Sequence, residues 1–216
     1  METKFESLES FFSLLNKEIN YVVLRNFDYL PKQFRSELHG DIDILTDDLP
    51  KLVKITGAQK VFNKPFRVQY KIKINEEWVL FDFRYVGDQY YCRSWEENIL
   101  KTKVFIKNCF FVMNNENLKY TLLYHALVHK HKIANDYEEK LKSFFPCDSM
   151  CLKNELQSFM KANNYNFAQP LDLSVVVNED NVNFKPSFVC RILYSKKYHF
   201  KIIRFLTKIL RVNFLK

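Results

Sequence analysis

Two aspartates stand one residue apart, Asp41 and Asp43, inside the stretch His39-Gly40-Asp41-Ile42-Asp43-Ile44-Leu45. A β-strand alternates its faces, so the two carboxylates point one way and Ile42 and Ile44 the other. The apolar side suits a core and leaves two negative charges side by side on an open face. Carboxylates that close repel one another unless something positive lies between them. A divalent ion such as Mg2+ or Mn2+ answers that need, because it takes carboxylate oxygens at short range and keeps positions open for phosphate. Gly40 permits a tight turn into the strand. The plainer reading of the same residues is an ordinary strand with one polar face.

A third carboxylate follows on another strand. Residues 66–74 alternate, with Val68, Tyr70, Ile72 and Ile74 on one face and Arg67, Gln69, Lys71 and Lys73 on the other. Asn75-Glu76 reads as the turn of a hairpin whose second strand is 78–85. On that strand Leu80, Asp82 and Arg84 share a face, and Phe81, Phe83 and Tyr85 take the other. An acidic residue on a buried strand is costly unless paired, so Asp82 joins the candidate metal ligands, the alternative being an ion pair with Arg84 or a lysine. His125 and His129 are four apart and share a helix face. The residue after His125 is Ala126, so there is no H-E-x-x-H zinc motif. A phosphate-facing or structural role fits them better than zinc.

The elements that must position these groups follow from periodicity. Residues 3–16 carry a helical apolar stripe, Phe5, Leu8, Phe11, Phe12, Leu14 and Leu15. Tyr21 to Leu24 is a short buried strand ending at Arg25, and 26–38, with Pro31, is loop plus a helical turn. After strand 41–45, Asp47 or Asp48 can cap a helix with Pro50 in its first turn, running to about Gly57. Residues 103–112 resemble another hairpin. Asn115 can cap a helix through Leu118, Leu122, Leu123, Leu127 and Val128, and further helices fit 135–145 and 149–163. Pro170 to Val177 reads as a loop and strand. The sequence therefore predicts an α+β fold, with a mixed sheet flanked by helices over 1–112 and a mainly helical region over 113–216.

Composition narrows the classes. The chain of 216 residues is 47% hydrophobic and 16% aromatic, which suits a globular core, and it has 3 glycines. Neither of the glycine-rich phosphate cradles, G-x-G-x-x-G and G-x-x-x-x-G-K-[ST], occurs. Any phosphate handling must use metal and basic side chains. Five scattered cysteines, Cys92, Cys109, Cys147, Cys151 and Cys190, form no zinc pattern and suggest reduced thiols. The first residues lack the features of a signal peptide, and no apolar run is long enough to span a membrane. A cytoplasmic protein is the expectation. The net charge of +8 is concentrated: residues 181–216 hold nine lysines and arginines and no acid, leaving about −1 for the rest. The stretch 187–213 intersperses those charges with Ile192, Leu193, Phe200, Ile203, Leu206, Ile209 and Leu210. This suits a basic amphipathic helix, either packed on the domain or lying on an anionic membrane surface through 187–216, peripheral to the inner membrane. Its many aliphatics fit nucleic acid less well.

The order of helix, strand, carboxylate-pair strand, helix and carboxylate-bearing hairpin resembles the nucleotidyltransferase superfamily, the fold of polymerase beta and of the small minimal nucleotidyltransferases. Gly40-Asp41-Ile42-Asp43-Ile44-Leu45 looks like its paired-carboxylate metal strand, and Asp82 in Val79-Leu80-Phe81-Asp82-Phe83 looks like its third carboxylate. The resemblance covers roughly residues 5–110 and extends more loosely to phosphocholine-transferase and fukutin-type proteins. It implies catalytic metal ligands Asp41, Asp43 and Asp82 holding Mg2+ or Mn2+. It also implies a nucleotide or nucleotide-activated donor and a small-molecule or cell-surface glycan acceptor, as in envelope polysaccharide synthesis. The family's Gly-Ser before the carboxylate pair is replaced here by Leu24-Arg25-Asn26-Phe27. Arg25 and Asn26 are then the expected donor-phosphate contacts, with Arg84 and Lys130, since a guanidinium suits phosphate geometry. The missing Gly-Ser also admits a catalytically inactive fold that binds RNA or a protein partner.

Overall fold

A computed structural model describes residues 5–34, 40–61, 68–130, 135–146, 149–172, 175, 177 and 178. Among them the chain forms six helices and a seven-stranded mixed sheet. The first half runs α1 (Leu8–Glu18), β1 (Tyr21–Val23), β2 (Asp41–Thr46), α2 (Leu49–Thr56), β3 (Gln59–Lys60), β4 (Gln69–Ile74) and β5 (Glu77–Tyr85). The second runs α3 (Arg93–Lys101), β6 (Val104–Ile106), β7 (Phe110–Val112), α4 (Asn115–Val128), α5 (Asn135–Phe144) and α6 (Ser149–Ala162).

Local chemistry sets the ends of these elements. Ser7 and Ser10 close a reciprocal capping box at the start of α1, and Leu8, Phe11, Phe12 and Leu15 form its buried stripe. Asp48 caps α2 by accepting from the Lys51 amide, and Gly57 ends it at φ 63°, a left-handed position that glycine takes without strain. The β4–β5 hairpin turns through Asn75 and Glu76, both at positive φ. Asn114, one residue earlier than expected, caps α4. The expected strand near 170–177 is absent among its described residues, which form no regular element. Residues 187–216 lie outside the described residues, as does His39.

The sheet order is β3-β4-β5-β2-β1-β7-β6. The strand with the aspartate pair therefore sits near the middle, antiparallel to β1 and parallel to β5. Alternate residues feed two cores. Tyr21, Val23, Ile42, Ile44, Phe81 and Phe83 pack with the α1 stripe and Leu52 of α2. Val22, Leu24 and Leu45 pack on the opposite face with residues of α3, α4, α5 and α6. The carboxylates of β2 and β5 belong to this second face, so the expected open face is covered: Asp43 is 7% exposed and Asp82 5%. No described helix is long and apolar enough to cross a membrane. Cys92 and Cys109 are free thiols, but Cys151 is half of a disulfide. That corrects the expectation of reduced thiols throughout, because spacing along a chain does not say which thiols meet.

Candidate active site

The parallel pairing of β2 with β5 sets Asp43 opposite Asp82, with Ile42 opposite Phe81 and Ile44 opposite Phe83. Neighbouring strands lie about 4.8 Å apart, so Asp43 and Asp82 are side by side on one face. Asp41 is two residues back on the same face, at the end of β2, and is partly exposed. The three sequence-predicted carboxylates thus share one side of two adjoining strands. They grade from solvent at Asp41 to interior at Asp43 and Asp82.

The positive charge beside them belongs to the protein. Arg25, just beyond β1, donates from Nη2 to Oδ1 of Asp43 at 3.0 Å, and both side chains are about nine-tenths buried. The amide of Leu24 bonds the carbonyl of Asp43 at 3.0 Å, which locks the end of β1 against β2. Burial opposes the Arg25 charge, but Asp43, Tyr90 and Tyr137 together hold its pKa above the usual value. Tyr29 lies on the loop after β1 and packs against the α1–α2 core. Burial pushes its phenol up to about 12, and Asp41 and Asp43 add to the rise.

Behind the carboxylates lies a buried hub centred on Tyr90. Its hydroxyl and Nδ1 of His125 share a hydrogen bond of 2.8 Å, and the His129 ring lies 4.2 Å from its own. The Arg84 guanidinium sits over the Tyr90 ring at 4.2 Å and that of Arg25 at 5.5 Å. Arg84 bonds Asp172 at 3.0 Å and lies 3.7 Å from Asp88. The segment between β5 and α3 that places Tyr90 is held by carboxylates. Asp88 accepts from the Tyr90 amide at 2.8 Å, and Glu96 accepts from the amides of Gly87 and Tyr91 at 2.7 and 3.1 Å. Burial raises the Glu96 carboxyl to about 8, helped by the neighbouring charge of Asp88. Burial, then the charge of Arg25, drives both His125 and His129 well below the ordinary imidazole value. Both are buried against Tyr90, His125 through the hydrogen bond and His129 through its ring, which fits the structural role better than a phosphate-facing one.

The other sequence-predicted residues divide. Asn26 lies at the carboxylate edge, at φ 54°, with its side-chain oxygen accepting from Lys140 of α5 at 3.1 Å. Arg84 is buried and committed to acids of its own layer. Lys130 is exposed just beyond α4, its carbonyl accepting from Asn178. Sequence reading missed Tyr90, Asp88, Glu96 and Lys140. The clustering Asp88-Gln89-Tyr90-Tyr91 was the available signal for the first two.

The donor set suits a hard divalent ion, since all three candidates are carboxylates on one face. They do not converge: among the described residues no three His, Cys, Asp or Glu side chains come close enough together to hold a metal. Arg25 supplies the charge balance at Asp43. A cavity of about 780 Å3 lies elsewhere, lined by Asn16, Asp28, Tyr29, Lys32, Lys107 and neighbours, with none of the three carboxylates in its wall. Comparison with family models, with curated proteins and with solved structures gives no match.

Proposed function

We propose that this chain is a metal-dependent transferase of nucleotidyltransferase type. It would move a nucleotidyl or phospho-alcohol group from a nucleotide donor to a hydroxyl of a small molecule or cell-surface glycan. The observation that carries the reading is the register of β2 and β5, which seats Asp43 beside Asp82 with Asp41 on the same face at the solvent end. Two of the three are buried, and a buried carboxylate is costly unless a protein cation, as Arg25 at Asp43, or a metal is beside it.

Asp41, Asp43 and Asp82 share a face without converging, so they would have to draw together to hold Mg2+ or Mn2+, which would neutralise charge on the donor's phosphoryl oxygens. In the reaction the acceptor oxygen attacks the donor phosphorus and forms a new P–O bond. The bond to the leaving pyrophosphate, or to the nucleoside monophosphate of a nucleotide-activated alcohol, breaks. Asp82 would either help hold a second metal ion or take the acceptor's proton. Arg25 and Asn26 contact the donor phosphates, and Tyr90 holds Arg25 from behind. Peripheral contact with an anionic membrane through 187–216 would bring a lipid-linked or envelope acceptor close.

The test is calorimetry of Mg2+ with CTP or a CDP-alcohol. The variant Asp41→Asn with Asp43→Asn is expected to bind at least about 10-fold more weakly, the loss of a few charge-assisted contacts. Equal affinity in variant and wild type removes the reading. A catalytically inactive binding module is the second reading, favoured by the Arg25–Asp43 pair, which balances charge without a metal. Turnover of any donor eliminates it.

A further inference from the structure

We propose that Lys140, on α5, is a phosphate-binding residue of this site and contacts the polyphosphate tail of the donor. The inference rests on the transferase reading and deepens it. Two lysines reach the loop that leaves β1. Lys107 commits its ammonium to three carbonyls, Phe27, Asp28 and Leu30, at 3.3, 2.7 and 2.6 Å. It is a staple for the loop, with its donors in use.

Lys140 is placed differently. Its Nζ donates to the side-chain oxygen of Asn26 at 3.1 Å. Its ionic neighbour is Asp28 at 4.0 Å, whose side chain is 83% exposed, while that of Lys140 is 38% exposed. An ion pair that long and that solvated stabilises little. An ammonium has three N–H donors, so a stronger anion can replace Asp28 at small cost. The position is fixed from both sides. Leu141 and Tyr137 bury α5 against the second core, and Asn26 is the neighbour of Arg25, which grips Asp43. Lys140 is therefore linked to the carboxylates through the loop: it bonds Asn26, and the next residue back, Arg25, bonds Asp43. A phosphate chain whose first group lies at Asp41 and Asp43 would meet Lys140 with its outer groups. The alternative cation on this layer, Arg84, is bound to Asp172 and Asp88 in the interior.

The probe is inorganic tripolyphosphate with Mg2+, titrated into the full chain at about 0.15 M salt, where loose surface attraction is screened. Lys140→Ala is expected to bind about 10-fold more weakly, the scale of one hydrogen bond to a charged group, and Lys140→Arg close to wild type. Lys142→Ala serves as the charge-matched control, since Lys142 lies on the same helix and pairs with Glu138 at 2.9 Å, and it should bind as wild type. Melting curves of each variant check the fold, and Lys140→Gln repeats the charge removal with the side-chain length nearly kept. If Lys140→Ala and Lys140→Gln bind as wild type while Asp41→Asn with Asp43→Asn does not, the inference is overturned and the transferase reading stands. If Lys142→Ala weakens binding as much as Lys140→Ala, the effect is general charge and the inference is again overturned. If the wild-type chain binds no Mg2+-tripolyphosphate, both fall together.

Discussion

The two faces of the sheet are made from alternate residues of the same strands, yet they bury different chemistry. On the α1–α2 side, Ile42, Ile44, Phe81 and Phe83 meet Phe11, Phe12 and Leu15, and Phe11 and Phe81 lie with ring centroids 5.0 Å apart. On the other side the same two strands present Asp43, Asp82 and Arg84, all nearly buried, to a layer containing His125, His129, Asp88 and Glu96. The first face is what hydrophobic burial alone would select. The second carries desolvation costs that ion pairing seldom repays in stability. The first face is apolar throughout, whereas the second sets a buried polar layer beside an apolar core of its own around Val22, Leu24 and Leu45.

The largest expected effect comes from setting a truncation on the apolar face against an apolar replacement of the ion pair on the other. Phe81→Ala removes a fully buried ring and is expected to cost about 3–5 kcal/mol in urea unfolding. Replacing the Arg25–Asp43 pair together, Arg25→Met with Asp43→Leu, is expected to leave stability within about 2 kcal/mol of wild type, or raised, because both desolvation penalties go with the pair. The same double variant should lose Mg2+–nucleotide binding. A loss of stability as large as that of Phe81→Ala would mean the polar face holds the fold after all.

A second comparison uses pH. The Glu96 carboxyl is raised in the folded protein from an ordinary 4.5 to about 8, by burial first and Asp88 second. A raised carboxyl favours the fold in its protonated form. That contribution is complete below about 4.5 and is lost progressively as pH rises toward about 8, by at most about 1.4 kcal/mol per pH unit. Burial shifts Asp88 in the same direction. Stability should therefore fall between pH 5 and 8, with the loss originating on the polar face. Glu96→Gln cannot ionise. It should start lower at pH 5, by about 1–3 kcal/mol, because one amide of the Gly87–Tyr91 turn loses its acceptor, and its stability should change much less with pH. Urea unfolding at pH 5, 6.5 and 8 measures both slopes. Parallel slopes would locate the alkaline loss elsewhere.

How much of this was legible in the sequence also divides by face. The apolar face was readable: the α1 stripe, the alternation of 41–45 and 78–85, and the Asp48 and Gly57 ends of α2 all appear as expected. So did the sharing of one face by Asp82 and Arg84. The pairing of β2 with β5 was not readable, because parallel register between segments forty residues apart leaves no local pattern. Nor was α3, whose buried face includes Glu96 beside Trp95, Ile99 and Leu100, so a charged residue broke the apolar stripe. Lys140 looks like any lysine on an amphipathic helix until the fold brings Asn26 to it. Burial of the acid face was missed for the same reason, since its cover comes from α3 to α6. Local rules fail where the chain buries groups that stability alone would exclude.

The smallest expected effect lies where neither face is touched. Glu76 turns the β4–β5 hairpin at φ 64°, beside Asn75 at φ 47°. A left-handed backbone costs a non-glycine residue about 1 kcal/mol, and glycine escapes that cost. Glu76→Gly also removes an ion pair, Lys73 to Glu76 at 2.6 Å, but both side chains are solvent-exposed and such pairs are worth a few tenths of a kcal/mol. Glycine's extra freedom in the unfolded chain offsets part of the relief. The net is a gain of roughly 0.5 kcal/mol by these terms, read as a slightly higher urea midpoint at unchanged slope. Because β5 leaves this turn carrying Phe81 to one face and Asp82 to the other, the variant also tests whether the faces respond independently. Mg2+–nucleotide affinity should stay at the wild-type value while stability rises. A turn substitution that altered binding would mean that the register of β5, and with it the seat of Asp82 beside Asp43, is set at the hairpin rather than by the apolar packing of Phe81 and Phe83.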